Sequence, residues 1–382
     1  MPQPPFTPDD HRHMARAIRL AELGLYTTDP NPRVGCVLVR DGQVVGEGFH
    51  RRAGEPHAER LALAQAGEWA RGATAYVSLE PCSHFGRTPP CADGLIEAGV
   101  ARVVAAMQDP NPLVAGQGLE RLRQAGIQVE SGLLEGQARA LNPGFNKRMQ
   151  QGLPWVRCKL AMSLDGRTAM ASGESQWITG PEARQDVQRW RARSSAILTG
   201  SGTLLADDPS LNVRLSNEQL HQLGPDYPVR QPLRVLLDSH LRTPTSARLL
   251  GLPGETLILY ADASTSQAQA QAEALRRAGA VVRQVATSAQ GLDLEQSLRL
   301  LAQRGINEIW VEAGATLSGA LLQAGLVDEL ILYMAPKLMG DAARGLLHLP
   351  GLERMAQCIP LEYADIRRVG RDLRFVIPCV PV

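Results

Sequence analysis

At 382 residues the chain exceeds one ordinary domain and fits two, each large enough to bury its own core. Lys and Arg number 40 against 39 Asp and Glu, so there is no global basic field of the kind a nucleic-acid-binding protein carries. Six cysteines (Cys36, Cys82, Cys91, Cys158, Cys358, Cys379) are too sparse for a secreted disulfide framework, and no apolar run approaches the roughly 18 residues of a membrane helix.

Met1 leads into polar, Pro-rich sequence without the basic segment and apolar core of a signal peptide, so a reducing, cytoplasmic location is expected. Thr7-Pro8-Asp9-Asp10 then predicts a helix start, with an N-cap, a Pro at the first position and acidic residues in the first turn. Met14, Ala17, Ile18 and Ala21 form its apolar stripe, and Gly24 stops it. Val34 to Arg40 and Gln43 to Phe49 make a hairpin about Asp41-Gly42. His57 to Ala66 reads as a helix closed by Gly67, and Thr74 to Leu79 as a buried strand. A helix near Ala92 to Ala98, a strand over Val100 to Met107, a helix over Leu119 to Ala125 and a short strand from Ile127 to Glu130 follow. Helices between apolar strands imply a layered α/β domain, with a boundary within Leu141 to Leu153.

A second alternation begins there. Strands are expected at Val156 to Met162, Ser195 to Thr199, Arg234 to Leu237, Thr256 to Tyr260, Glu308 to Val311, Glu329 to Tyr333 and Arg374 to Ile377. Helices are expected at Pro181 to Arg193, Gln267 to Arg277 and Leu294 to Gln303. Arg214 to Gln231 is polar and Pro-bearing and reads as a surface loop.

The most specific chemistry lies in His57-Ala58-Glu59, Pro81-Cys82 and Cys91. One His and two Cys supply three ligands to zinc and leave a fourth position for water. His-x-Glu followed by Pro-Cys-x-x-Cys is the signature of zinc-dependent base deaminases, in which the Glu moves protons and is not a ligand. The departure is spacing: eight residues separate Cys82 from Cys91, which reads as a loop inserted between ligands. Zinc brings the pKa of bound water near ~7. Glu59 can then carry a proton to a ring nitrogen and to the leaving ammonia. The expected local structure puts His57 and Glu59 in a first helical turn and Pro81-Cys82 at a second helix start. The alternative is that these are unrelated core or surface residues; their conjunction in strand-to-helix context favours metal.

In the second half, Ser163 to Arg167, Gly200 to Pro209 and Glu312 to Gly319 each break an apolar strand with turn residues. Ligands in open α/β sheets gather at such strand ends, and loops entering helices suit phosphates. None is a GxGxxG fingerprint, and singly each reads as an ordinary turn.

Taken together, Pro30 to Gly35, Gly48-Phe49-His50, His57-Ala58-Glu59 and Pro81 to Cys91, with Lys159 to Gly180, Gly200 to Arg214, Val311 to Ala320 and Ala335-Pro336-Lys337, span nearly the whole chain. In these motifs it resembles the bifunctional riboflavin-biosynthesis deaminase-reductase family, with the deaminase first. The resemblance implies a cytidine-deaminase-like three-layer domain over residues 1–149 and a dihydrofolate-reductase-like α/β domain over 150–382. It implies zinc-dependent removal of the ring 2-amino group of 2,5-diamino-6-(5-phosphoribosylamino)pyrimidin-4(3H)-one, then NADPH-dependent reduction of the ribosyl group to ribityl. It also implies a phosphorylated pyrimidine as substrate and a homodimer or larger assembly through the reductase half, while the balanced charge and the lack of a long apolar run lead us to expect no nucleic-acid or membrane partner.

Carried onto this chain, the resemblance gives zinc to His57, Cys82 and Cys91, with Glu59 as proton shuttle. Asn31, His50, His84, Arg87, Asp109 and Asn111 become candidates to hold the deaminase substrate. Positions matching the NADPH pattern are Ala161, Trp177, Thr203, Asp207, Ser239 and the loop Gly314, Ala315, Thr316, Leu317, Ser318, Gly319 and Ala320. Ser175, Arg191, Leu211, Arg214 and Glu312 match the substrate pattern, Arg191 and Arg214 as a phosphate clamp. Bland readings stand beside these. His84 could be a fourth ligand, Asn31, Asp109 and Asn111 could be turn residues, and Arg87 a solvated charge. Trp177 could be a core aromatic, and Arg191 could pair with Asp186 or Glu182. Two other readings are a single-function base, nucleoside or tRNA deaminase whose second half serves assembly, and a structural zinc module with a fourth protein ligand.

Overall fold

The structure is a computed structural model that describes residues 6–83, 89–112, 114–220, 227–261, 264–288 and 291–379. The chain folds as two compact units that part between Gly152 and Leu153, with Tyr227 grouped with the first.

Alternation of apolar residues builds the first unit. Its sheet runs in the order Gln43–Phe49, Gly35–Arg40, Thr74–Val77, Arg102–Ala105, Gln128–Ser131. The hairpin turns at Asp41 and Gly42, both at positive φ (50° and 74°), as a type I′ turn demands. Cys36 and Leu38 point to one face and Val37 and Val39 to the other, so both faces are covered. On one lies the helix Pro8–Glu22, started by a Thr7–Asp10 capping box and docked through Met14, Ala17 and Ile18. On the other lie Ala58–Ala66, Cys91–Glu97 and Gln117–Gln124. This is a three-layer α/β/α unit. Glycines set its depth: a Cβ at Gly46 or Gly48 would meet the Ala62 carbonyl at 2.2 Å or the Ala58 carbonyl at 2.6 Å. The Ala58–Ala66 helix therefore rests directly on strand backbone, which fixes where its N-terminus emerges. The stretch expected to be boundary holds a helix, Pro143–Gln151, in which Phe145 and Met149 are too few apolar residues to show a period.

The second unit is a nine-stranded sheet. Its order is Val281–Gln284, Thr256–Tyr260, Leu233–Leu237, Ala196–Gly200, Glu308–Glu312, Trp155–Ser163, Glu329–Ala335, Asp372–Pro378, Asp365–Val369. The first seven pair in parallel and the last two form an antiparallel hairpin. Pro181–Arg193 and Ser266–Arg277 cover one face through Ala183, Val187, Ala272 and Leu275. Leu294–Gln303 and Ala315–Gln323 cover the other through Leu298, Leu301 and Leu321. Two strands escape the periodicity, Val281–Gln284 and the charged edge Asp365–Val369, because an edge strand carries little apolar alternation. Two of the expected turn regions run straight into helices, Ser201–Asp207 and Ala315–Gln323. Among the described residues no helix is long and apolar enough to cross a membrane.

Candidate active sites

In the first unit a cavity of about 510 Å³ is lined by Asn31, His50, His57, Glu59, Cys82, Asp109 and Asn111, among others. His57 differs from expectation in being the N-cap of Ala58–Ala66, with extended backbone (φ −72°, ψ 164°), so that only Glu59 is helical. Cys82 likewise starts no helix. It lies outside any helix or strand, and the helix begins at Cys91, whose N–H donates to Cys82 Sγ at 3.3 Å.

His57 Nδ1 lies 3.6 Å from Cys82 Sγ and 3.3 Å from Cys91 Sγ. A tetrahedral zinc with Zn–S near 2.3 Å and Zn–N near 2.05 Å separates N and S ligands by about 3.6 Å. The cluster therefore fits the metal through Nδ1 and two sulfurs. Among the described residues this is the only group of three or more His, Cys, Asp and Glu side chains converging so closely. Its protons are shared: a bond from Cys91 draws the Cys82 thiol down to about 4 and drives the Cys91 thiol up. A divalent cation would displace that remaining proton. Glu59 is 3% exposed, and its Oε2 is buried with no hydrogen-bond partner among the described residues. Burial first, then the Cys82 charge, raises its carboxyl, as suits a group that must hold a proton and give it up.

His50 is also placed for use. Its Nδ1 meets the Pro56 carbonyl at 3.2 Å and its Nε2 meets Asn31 Nδ2 at 3.0 Å. A proton on Nδ1 satisfies both contacts, leaving Nε2 to accept from the Asn31 amide. Asp109 Oδ1 accepts from the Asn111 N–H at 2.8 Å, an Asx turn at the cavity wall. His84 and Arg87 lie outside the described residues. Sequence reasoning missed Glu80, a buried cavity residue whose partners lie 29 to 39 residues further on.

The second unit holds a cleft of about 1690 Å³ at the carboxyl ends of the parallel strands. Ala161, Trp177, Thr203, Asp207 and Ser239 line it, as do Gly314 to Leu317 and Ala320. Ser318 and Gly319 do not. The expected loop is a helix from Ala315, which turns Ser318 into the core and Gly319 against the His348 carbonyl, 2.0 Å from where a Cβ would sit. Trp177 is 64% exposed, which removes its core reading, and the Arg184 guanidinium stands over its ring at 4.7 Å. Gly200 and Gly314, at the ends of two paired strands, each start a helix with no side-chain cap. A long cleft with two uncapped helix starts fits an anionic dinucleotide.

Ser175, Arg191, Leu211, Arg214 and Glu312 line the same cleft. Arg191 pairs with neither Asp186 nor Glu182 but grips Glu312 in two bonds, Nε to Oε1 at 2.6 Å and Nη2 to Oε2 at 2.8 Å. Trp310 Nε1 also donates to Glu312 Oε1 at 2.8 Å. Burial alone would raise the Glu312 carboxyl; Arg191, with Lys159 and Trp310, outweighs it and holds the group down to about 2. Lys159 lines the cleft too. Burial pushes its ammonium down, with the Glu312 carboxylate pulling against it and Arg191 adding to it. A second charge, after Arg157, in the mostly apolar strand Val156 to Met162 was the signal that could have found it.

Comparison with known proteins matches a family to each unit. Residues 7–107 match the family of the cytidine and deoxycytidylate deaminase zinc-binding region, and residues 154–375 match the RibD C-terminal domain. The chain is 57% identical to riboflavin biosynthesis protein RibD of Escherichia coli over 95% of this chain and 98% of that one. It is 54% identical to the Haemophilus influenzae protein of the same name over 97% of each. Among solved structures, Acinetobacter baumannii RibD superposes with a TM-score of 0.88 at 48% identity, covering 97% of this chain and 98% of that one. A Thermotoga maritima diaminohydroxyphosphoribosylaminopyrimidine deaminase/5-amino-6-(5-phosphoribosylamino)uracil reductase does so with a TM-score of 0.81 at 31% identity, over the same shares. The first unit is thus cytidine-deaminase-like and the second is the dihydrofolate-reductase-like domain of this family, which disfavours an assembly-only second half. The chain belongs to the RibD family: it is a bifunctional enzyme of riboflavin biosynthesis, a deaminase using zinc joined to a reductase using NADPH.

Proposed function

We propose that residues up to Gly152 form the deaminase and residues from Leu153 the reductase, each working through the side chains gathered at its own cavity. His57 Nδ1 and the thiolates of Cys82 and Cys91 hold the metal. Zinc bound there supplies the Lewis acidity that activates water near neutral pH. Glu59 takes one proton of the attacking water at Oε2 and gives it to the ring nitrogen; it then takes the second, from the hydroxyl of the tetrahedral adduct, and gives it to the departing amino group, which leaves as ammonia. Asn31, oriented by His50, reads the pyrimidine edge, while Asp109 and Asn111, lining the same cavity, hold the substrate. His84 and Arg87 are assigned to the substrate on their motif alone.

In the reductase, Ala161, Trp177, Thr203, Asp207, Ser239 and the segment Gly314 to Ala320 hold NADPH, with Ser318 and Gly319 acting through helix packing. The cofactor supplies a hydride to the sugar C1′. Arg214, exposed at the cleft, meets the ribose phosphate; Arg191 is engaged by Glu312 and places that carboxylate against the sugar hydroxyls. Ser175 and Leu211 complete the substrate wall. Lys159, its ammonium destabilised by burial, delivers the proton that opening of the ribose ring requires. A homodimer or larger assembly through this unit is supported by its edge strand Asp365–Val369, with exposed Ile366 on it and exposed Tyr363 just before it. Cysteines that must be thiolates for zinc, with no disulfide formed, support a reducing cytoplasm.

The observation that carries the deaminase half is the buried Glu59 oxygen, without a partner among the described residues, beside the His57–Cys82–Cys91 cluster. Glu59→Gln should keep the zinc content and lower the deamination rate by about 10²–10⁴-fold. Ammonia release at the native rate would remove Glu59 as the proton carrier.

A further inference from the structure

Glu80 immediately precedes Pro81-Cys82, lines the deaminase cavity and is buried, yet it is unsuited to the chemistry that Glu59 performs. Both of its oxygens are taken by backbone donors. Oε2 accepts from the N–H of Asp109 at 3.0 Å and of Gly116 at 3.0 Å. Oε1 accepts from the N–H of Gly118 at 2.8 Å and of Leu119 at 3.3 Å. The last two belong to the first turn of Gln117–Gln124, where N–H groups have no partner within the helix. One carboxylate thus caps a helix and pins the turn that leads into it.

That turn carries cavity-lining residues. Asp109, Asn111 and Val114 all face the deaminase cavity. The order is relayed along it: Glu80 fixes the Asp109 N–H, Asp109 Oδ1 fixes the Asn111 N–H, and the Asn111 carbonyl accepts from Val114 and Ala115 at 2.9 Å each. The geometry is held from the far side as well, since a Cβ at Gly118 would lie 2.0 Å from the Pro81 carbonyl. Gly116, at φ 81°, makes the left-handed step that brings its own N–H to Glu80.

We infer that Glu80 is a positioning residue of the deaminase, clamping the turn of Asp109, Asn111 and Val114 as one wall of the cavity. Its carboxylate sets how well the pyrimidine is held and takes no part in proton transfer. The inference rests on the reading of Asp109 and Asn111 as substrate contacts. Glutamine cannot replace it, because an amide NH₂ would face either the Asp109 and Gly116 donors or those of Gly118 and Leu119.

The test uses the full-length, zinc-loaded enzyme carrying Glu80→Gln, with Asn111→Ala beside it. Ammonia release gives kcat and KM, metal analysis gives zinc, and NADPH oxidation on separately supplied deaminated intermediate reports whether the chain is folded. Glu80→Gln should raise the deaminase KM by about tenfold or more with kcat within about threefold, zinc retained and the reductase unchanged. An unchanged KM, or loss confined to zinc and kcat, overturns the inference. A raised KM in Glu80→Gln with none in Asn111→Ala keeps the clamp and removes Asn111 as a substrate contact. The reverse pattern removes the clamp and keeps the contact. If Glu80→Gln does not fold, amide exchange in the unaltered protein decides. The N–H groups of Asp109, Gly116, Gly118 and Leu119 should exchange about 10²-fold or more slowly than Gly42 at the exposed hairpin turn. Exchange as fast as Gly42 overturns the clamp.

Discussion

Replacing Glu312 by Gln removes the counter-charge of a buried guanidinium while leaving the shape of the site nearly intact. Arg191 is buried and bonded to both Glu312 oxygens, at 2.6 Å and 2.8 Å, and Trp310 adds a third bond at 2.8 Å. Unit charges about 4 Å apart interact by roughly 4 kcal/mol at an effective dielectric of about 20. Removing one partner of a buried pair typically costs about 3–5 kcal/mol, because the other charge stays behind. The two routes agree, so Glu312→Gln should cost about 4 kcal/mol and lower the melting temperature of the reductase unit by roughly 8–16 °C. The pH dependence follows from the sign of the shift. The folded carboxyl is held down to about 2, below its unfolded value near ~4.3, so its stabilisation is fully present above that value and lost as pH falls toward 2. A protonated Glu312 is electrically a glutamine. Thermal melts of the native and Glu312→Gln enzymes should therefore differ fully at pH 7 and above pH 5, and converge as pH falls toward 2. A shift of less than about 2 °C at neutral pH, or one that stays constant down to pH 3, would refute the reasoning.

Lys159→Met should lower NADPH oxidation on the deaminated intermediate by about 10²–10⁴-fold while leaving ammonia release and NADPH binding near native levels. Fluorescence titration of the cofactor separates the binding from the turnover, and native turnover would exclude Lys159 as the proton donor. Gly48→Ala would put a Cβ 2.6 Å from the Ala58 carbonyl and 2.7 Å from Leu61 Cβ, forcing the helix that carries Glu59 off its strand. The expected cost is about 1–3 kcal/mol by urea titration, with deamination impaired more than reduction. Equal loss of both activities would contradict a local effect.

Elements were legible where a local signal marks both ends. Pro181–Arg193 begins with Pro at its first position, and Leu294–Gln303 begins after Asp293, whose carboxylate accepts from Gln296 N–H. Both run as the sequence predicts, as does the fully buried strand Thr256–Tyr260. His57 was placed one residue too far into its helix because the sequence shows the period but not the extended backbone that follows Pro56. The zinc cluster was readable because its ligands are chemically distinctive and three suffice. The role of Glu80 was not, since its partners are backbone amides with no side-chain signature. Arg191 shows the same limit from the other side. Its helix position suggested carboxylates a turn away, whereas the fold brings Glu312 to it from 121 residues on. Asp186 is taken instead by Arg374 and Tyr333.

The most direct test supplies 2,5-diamino-6-(5-phosphoribosylamino)pyrimidin-4(3H)-one to the purified, zinc-loaded protein and follows ammonia release and NADPH oxidation separately. Stoichiometric ammonia release without NADPH, then NADPH-dependent formation of the ribityl product, is the predicted result. Ammonia without NADPH oxidation, or neither signal from folded protein, would contradict the account of two working sites on one chain.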